Sequence, residues 1–186
     1  MFNKYIQNYL DEVRKICDII NIDDINSFIV TINQLKERQG RLFIIGVGGS
    51  AANASHAVND FRKILNIESY SITDNSSELT ARINDDGWET SYSNWLTVSK
   101  LSSNDAILVF SVGGGSDKVS LNIVRSMELA KKVGANILSV VSRNGGKAKE
   151  LSDACILIPV VDESRITPHA EEWQGIILHL VVNSIM

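Results

Sequence analysis

The chain has 186 residues, 44% hydrophobic and 22% charged, with 18 Lys and Arg against 22 Asp and Glu and a formal net charge of −4. That is the make-up of one globular domain, long enough to bury about 70% of its unfolded surface without disulfides or structural metal. A pI near 5.4 argues against a nucleic-acid partner, the isolated Cys17 and Cys155 against a disulfide framework, and apolar runs no longer than IILHLVV against a membrane span of roughly 18 residues.

The N-terminal stretch MFNKYIQNYLDEVRK carries charges throughout and has no signal-peptide core, so it reads as a helix to about Ile20 and the expected compartment is the cytoplasm. Between Asp24 and Gln39, Ile25, Phe28, Ile29, Ile32 and Leu35 recur at helical spacing, and Gly40 supplies the stop. LFIIG (42–46) is a short apolar run ending in glycines, the pattern of a strand buried on both faces. Further strands are expected at SYSIT (69–73), AILVFSV (106–112), NILSVV (136–141) and CILIPV (155–160). Helices are expected at Ser50 to Leu65, Trp88 to Leu101, Lys118 to Val133, briefly at Asn144 to Ser152, and from about His169 to the end. Strands alternating with helices predict an α/β fold, a five-stranded parallel sheet flanked by helices, and no linker or repeat divides residues 1–186.

Ligands of open α/β sheets bind at the carboxyl ends of the strands. Two loops there are rich in Gly and Ser: GVGGSAA (46–52) after LFIIG, and SVGGGSD (111–117) after AILVF. Gly48, Gly49, Gly113 and Gly114 let a backbone approach an anion, each following helix offers unpaired N–H groups, and Ser50, Ser111 and Ser116 add hydroxyls. The same residues would also serve tight turns with serine caps. The first loop fits G-x-G-x-x-A, but the acid that a dinucleotide needs at the end of the second strand is absent: Glu68 precedes SYSIT and Asp74 lies 28 residues from Gly46. No nucleotide cofactor is expected.

His56 and Asp60 stand four apart, on one face of the helix after the first loop. His179 lies on the last helix, eight residues after Glu171. Imidazole and carboxylate near an anion loop can move protons on a phosphorylated substrate, and two His with two carboxylates suit zinc or another divalent ion. Eight helical residues span about 12 Å, so Glu171 joins His179 on one ion only from a helix entrance, which Pro168 would provide. Alternatively, His179 is a core histidine among apolar neighbours and Asp60 a solvated helix residue. His169 is expected either exposed or reaching a neighbouring subunit. Trp88, Trp95 and Trp173 read as packing or interface residues. Arg62 and Lys63 lend charge to the anion loop or simply face solvent.

Taken in order, GVGGSAANASHAVNDFRK, INDDGW, SVGGGSDKV and TPHAEEWQGIILH resemble the sugar isomerase (SIS) domain, in particular its phosphoheptose isomerase group, over nearly the whole chain. The resemblance implies a three-layer flavodoxin-like SIS fold. It implies a homotetramer with sites at subunit interfaces, the helices of 1–40 taking part in the packing. It also implies conversion of sedoheptulose 7-phosphate to glycero-manno-heptose 7-phosphate, a step toward surface polysaccharide. By the same resemblance Ser50, Ser111, Ser116 and Asp85 match substrate-binding positions and His179 a catalytic one. His56, Asp60, Glu171 and His179 match positions associated with zinc.

The chain departs from that pattern. Asp60 stands where the base is usually Glu, Glu171 where Gln is usual, and Val47 where Asn is usual. In the second loop, Val112, Gly113 and Gly115 replace polar residues, which shifts phosphate contact toward backbone N–H groups. The expected activity is an aldose–ketose isomerase acting through a cis-enediol, with Asp60 first and Glu171 second as base. The alternative is a non-catalytic sugar-phosphate sensor or protein-binding tetramer.

Overall fold

A computed structural model describes residues 2–186. In chain order the elements are α1 (Phe2–Ile19), α2 (Ile22–Glu37), β1 (Leu42–Ile45), α3 (Gly49–Lys63), β2 (Ser69–Tyr70), α4 (Ser76–Asp86), α5 (Ser91–Val98), β3 (Ala106–Phe110), α6 (Leu121–Val133), β4 (Asn136–Val141), α7 (Gly146–Leu151), β5 (Ala154–Leu157) and α8 (Ile166–Ser184).

The five strands are all parallel in the order β2-β1-β3-β4-β5, the flavodoxin arrangement. Leu42 pairs with both Ser69 and Ala106, and Ala106 with Asn136, so β1 and β3 lie side by side at the point where the strand order reverses. Alternation along β1 divides the interior. Leu42 and Ile44 join Phe28, Phe61 and Ile177 from α2, α3 and α8, while Phe43 and Ile45 join Trp95, Ile123 and Met127 from α5 and α6. Each strand face thus has its own helical layer, which is why β1 and β3, LFII and AILVF, are apolar at every position rather than at alternate ones.

Several elements differ from the sequence pattern: the strand expected at 106–112 ends at Phe110, and the helices expected from Trp88 and Lys118 begin at Ser91 and Leu121. SYSIT forms only a two-residue strand, because the chain turns into a 3₁₀ segment at Ile72–Asp74. The strand expected at 155–160 ends at Leu157. Helix α4 is absent from the expectations since it fully buries no side chain and offers only Leu79 and Ile83 as half-buried apolar positions; Asn75 starts it by accepting a hydrogen bond from the Glu78 N–H at 3.3 Å. Helix α8 begins at Ile166, two residues before Pro168, a proline the first turn tolerates because its missing N–H has no partner there. No helix among the described residues is long and apolar enough to cross a membrane.

Candidate functional site

The site is built where β1 and β3 end. Gly46 passes so close to α3 that a Cβ there would lie 2.4 Å from the Ser50 carbonyl, and Gly48 takes φ +66°, a region that favours glycine. Beneath this turn the Tyr92 hydroxyl donates to the Gly46 carbonyl at 2.8 Å, and burial pushes its pKa up to about 12, so it stays a neutral donor. Ser50 is buried at the start of α3 and accepts from Gln174 Nε2 at 3.1 Å.

The loop after β3 is locked to the loop after β4. Lys147 N–H donates to the Gly115 carbonyl (3.0 Å) and Ala148 N–H to that of Gly114 (2.9 Å), and a Cβ on Gly114 would lie 1.9 Å from the Gly145 carbonyl. Ser111 Oγ accepts from Gly114 N–H (3.1 Å), and Ser116 Oγ from Lys118 and Val119 N–H (3.3 and 3.2 Å). Each hydroxyl keeps its own O–H to donate outward.

These loops enclose a cavity of about 500 Å³ lined by Ser50, Ser111, Gly113 and Ser116 and also by Arg143, Asn144 and Thr167. Gly48, Gly49 and Gly114 shape the loops without lining it. The sequence reading had not singled out Arg143 and Asn144. The available signal was NGG directly after β4, a third glycine turn at a strand's carboxyl end. Arg143 brings positive charge to the lining and holds φ +56°, a left-handed conformation that costs a non-glycine residue about 1 kcal/mol or more. Asp85 is exposed near the end of α4, bonded to Asn84 Nδ2 at 2.7 Å, and does not line the cavity.

Further along the α3–α8 seam, His56, Asp60 and His179 meet. Asp60 Oδ2 lies 3.3 Å from His56 Nε2 and 3.6 Å from His179 Nε2, and Asn59 Nδ2 donates to Oδ1 at 2.9 Å. Asp60 is 7% exposed, so it is not a solvated surface residue, and the His179 side chain is 56% exposed, so it is not a core histidine. One donor atom from each of the three lies within 4.8 Å of the others. Two imidazoles and a carboxylate are the nitrogen and oxygen donors that zinc takes in three-ligand sites that leave a fourth position for water or substrate.

Glu171 stays outside that group. Because α8 is already regular helix at Glu171, the eight residues to His179 keep the two about 12 Å apart. Its carboxylate instead lies against Gly49, where a Cβ would come 2.4 Å from Oε2, at the positive end of α3. Asn53 Nδ2 donates to the Glu171 carbonyl and to Gln174 Oε1, both at 2.9 Å, and so pins α8 to α3 between the cavity and the His–Asp–His group.

One surrounding expectation changes and two resolve between their alternatives. His169 is neither exposed nor free, being 3% exposed within a network described below. Of its two alternatives Arg62 takes the solvent-facing one: it is exposed and donates to the Ser69 carbonyl at 3.1 Å over the Tyr70 ring. Trp95 and Trp173 are buried as packing residues, whereas Trp88 is 40% exposed.

No protein-family model matches the chain. Curated relatives do. A phosphoheptose isomerase of Helicobacter pylori is 31% identical over 154 residues, 80% of this chain and 76% of that protein. One of Nitratiruptor is 32% identical over 162 residues, 84% of this chain and 81% of that protein. Among solved structures, a phosphoheptose isomerase from Neisseria gonorrhoeae superposes with a TM-score of 0.85 at 20% identity, covering 100% of this chain and 98% of that one.

Proposed function

The chain belongs to the phosphoheptose isomerase family, and on that premise we propose that it interconverts sedoheptulose 7-phosphate and glycero-manno-heptose 7-phosphate through a cis-enediol. The observation that carries this reading is one seam holding both parts of such a site. A hydroxyl-lined cavity with Arg143 lies at the loops, and the His–Asp–His group lies roughly 9–15 Å further on, at 1.5 Å per helical residue from Ser50 to His56 and Asp60. That separation suits a long open-chain sugar phosphate, held by its phosphate at one end and turned over at C1 and C2 at the other.

Ser50, Ser111, Ser116, Arg143 and free loop N–H groups bind the phosphate and neighbouring hydroxyls. Asp60, oriented through Oδ1 by Asn59, removes the proton from one carbon with Oδ2 and returns it to the other. His179 moves the matching proton between the two adjacent oxygens, so atoms and charge balance over the cycle. His56, Asp60 and His179 also fit a divalent ion such as zinc; if they held it, the ion would supply Lewis-acid polarisation of the substrate carbonyl, Asp60 and His179 would serve as its ligands rather than as proton carriers, and the base would be Glu171. Glu171 is the second choice of base, favoured by its place against Gly49, between the cavity and the His–Asp–His group.

The protein works as a homotetramer in the cytoplasm, in our reading. Exposed Tyr5, Ile6 and Leu10 on α1 and Ile176 and Leu180 on α8 support apolar packing between copies. Asp85 would then serve across an interface.

The test is proton NMR of sedoheptulose 7-phosphate with the protein in D₂O, with and without zinc. Deuterium entering at C1 or C2 is the expected result. Folded protein that binds the sugar phosphate without exchange would instead be a sensor, for which the His–Asp–His group has no use.

A further inference from the structure

Thr167 reaches the cavity from the first turn of α8. The residues two before and two after it, Arg165 and His169, meet on one carboxylate of α1, while Arg165 Nη2 also donates to Asp162 Oδ2 at 2.5 Å on its own side. Arg165 Nε and Nη2 donate to Glu12 Oε2 and Oε1 at 2.7 and 2.6 Å, a bidentate pair, and His169 Nε2 lies 2.8 Å from Oε2. Residues four apart share a helix face, as His169 does with Arg165, but only if the first already follows the helix. Arg165 does not: it stands just before α8 with φ −124°, and its guanidinium folds back to meet the same acid.

The start of α8 has no side-chain cap from Arg165, and Glu12 is the contact that ties its Arg165 and His169 side chains to another helix. The grip is sheltered. His169 is 3% exposed, the Tyr9 ring stacks on it at 4.7 Å, and the Tyr9 hydroxyl donates to Glu172, whose other oxygen lies 3.3 Å from His169 Nδ1. On the other side Ile16 is the one buried residue of α1. α1 is therefore seated by this polar contact together with a single fully buried apolar side chain.

We propose that Glu12 is a positioning residue for the substrate cavity: by clasping Arg165 and His169 together it fixes Thr167 at the cavity wall and makes ligand affinity depend on how α1 is seated. This rests on the cavity being the sugar-phosphate site. Glu12 touches no substrate and acts only through the α8 start.

The experiment is a double-mutant cycle between Glu12→Gln and Thr167→Val in the full chain, reading KM, kcat and Tm. Expected is a rise in KM of about tenfold for Glu12→Gln with kcat within about twofold, and no further rise when Thr167 is already Val, while the fall in Tm is the same in both backgrounds. A KM ratio that is equal in both backgrounds, or an unchanged KM beside a lowered Tm, would overturn the proposal and leave Glu12 a plain tether. Arg165→Lys keeps the charge but loses the bidentate pair, so it gives the same cycle if Glu12→Gln fails to fold. The cycle is repeated as Kd for inorganic phosphate by calorimetry. Phosphate binding with the coupling intact, but no turnover, rejects the isomerase reading and keeps the positioning role. A wild type that binds neither sugar phosphate nor phosphate overturns both.

Discussion

Asp60 is one methylene shorter than the glutamate usual in the family, yet from a buried position on α3 it still meets both imidazoles. If it is the base, Asp60→Asn should abolish deuterium exchange in folded protein while Glu171→Gln leaves it measurable; the opposite pattern would move the base to Glu171. His179→Ala should lower kcat by about 10²–10⁴-fold with the melting curve little changed, since the side chain is more than half exposed and supports little packing. Steady-state kinetics beside a thermal melt checks this, and near-normal turnover would remove His179 from the mechanism. Away from the site, burial alone would raise the pKa of Asp105. Donation from Arg41 and Ser102 outweighs burial and holds it below the ordinary aspartate value of 3.8. A lowered folded-state pKa contributes stability that is present above 3.8 and lost as pH falls through the folded value. Urea melts at falling pH should therefore show a steep acid limb that flattens in Asp105→Asn.

The interlocked turns after β3 and β4 set a limit at the next scale. A methyl group on Gly114 meets the Gly145 carbonyl at 1.9 Å and sits at φ +72°, so Gly114→Ala should cost more than about 1 kcal/mol and weaken phosphate binding together, seen by thermal melts and calorimetry. Gly48→Ala meets no neighbour and suffers only the strain of its φ, so its cost should be smaller. The same elements show what was legible beforehand. β1, β3 and β4 stood out because they are apolar on both faces, and the two glycine loops stood out because they follow such runs directly. Helix α4 did not, because its inward face is only half-buried and carries just two apolar residues, Leu79 and Ile83. The meeting of His56, Asp60 and His179 was readable as a pattern of types and spacing, but the placing of Glu171 was not. It hinges on where α8 starts, and Pro168 marks that start only to within a turn. Arg143 had only the NGG turn beside it as a signal and Thr167 only its place in the TPHAEEWQ stretch; the folded loops are what bring both to the cavity.

For the molecule as a whole, α1 is the telling part: eighteen residues long with one buried side chain, and apolar at Phe2, Tyr5, Ile6 and Leu10 where it faces outward. Packing of that surface between copies predicts that Ile6→Arg with Leu10→Arg reduces the mass measured by light scattering to that of smaller species while the far-UV spectrum is retained. An unchanged mass would place the contact elsewhere. The clasped loops have a consequence in time as well as in space. The Lys147 and Ala148 amides are held by carbonyls of the preceding loop, so neither turn can open without the other. Their hydrogens should exchange with solvent at one common rate, slowed together when phosphate is bound, and the departure of the ligand would then be governed by a single collective opening rather than by the fluctuation of one loop.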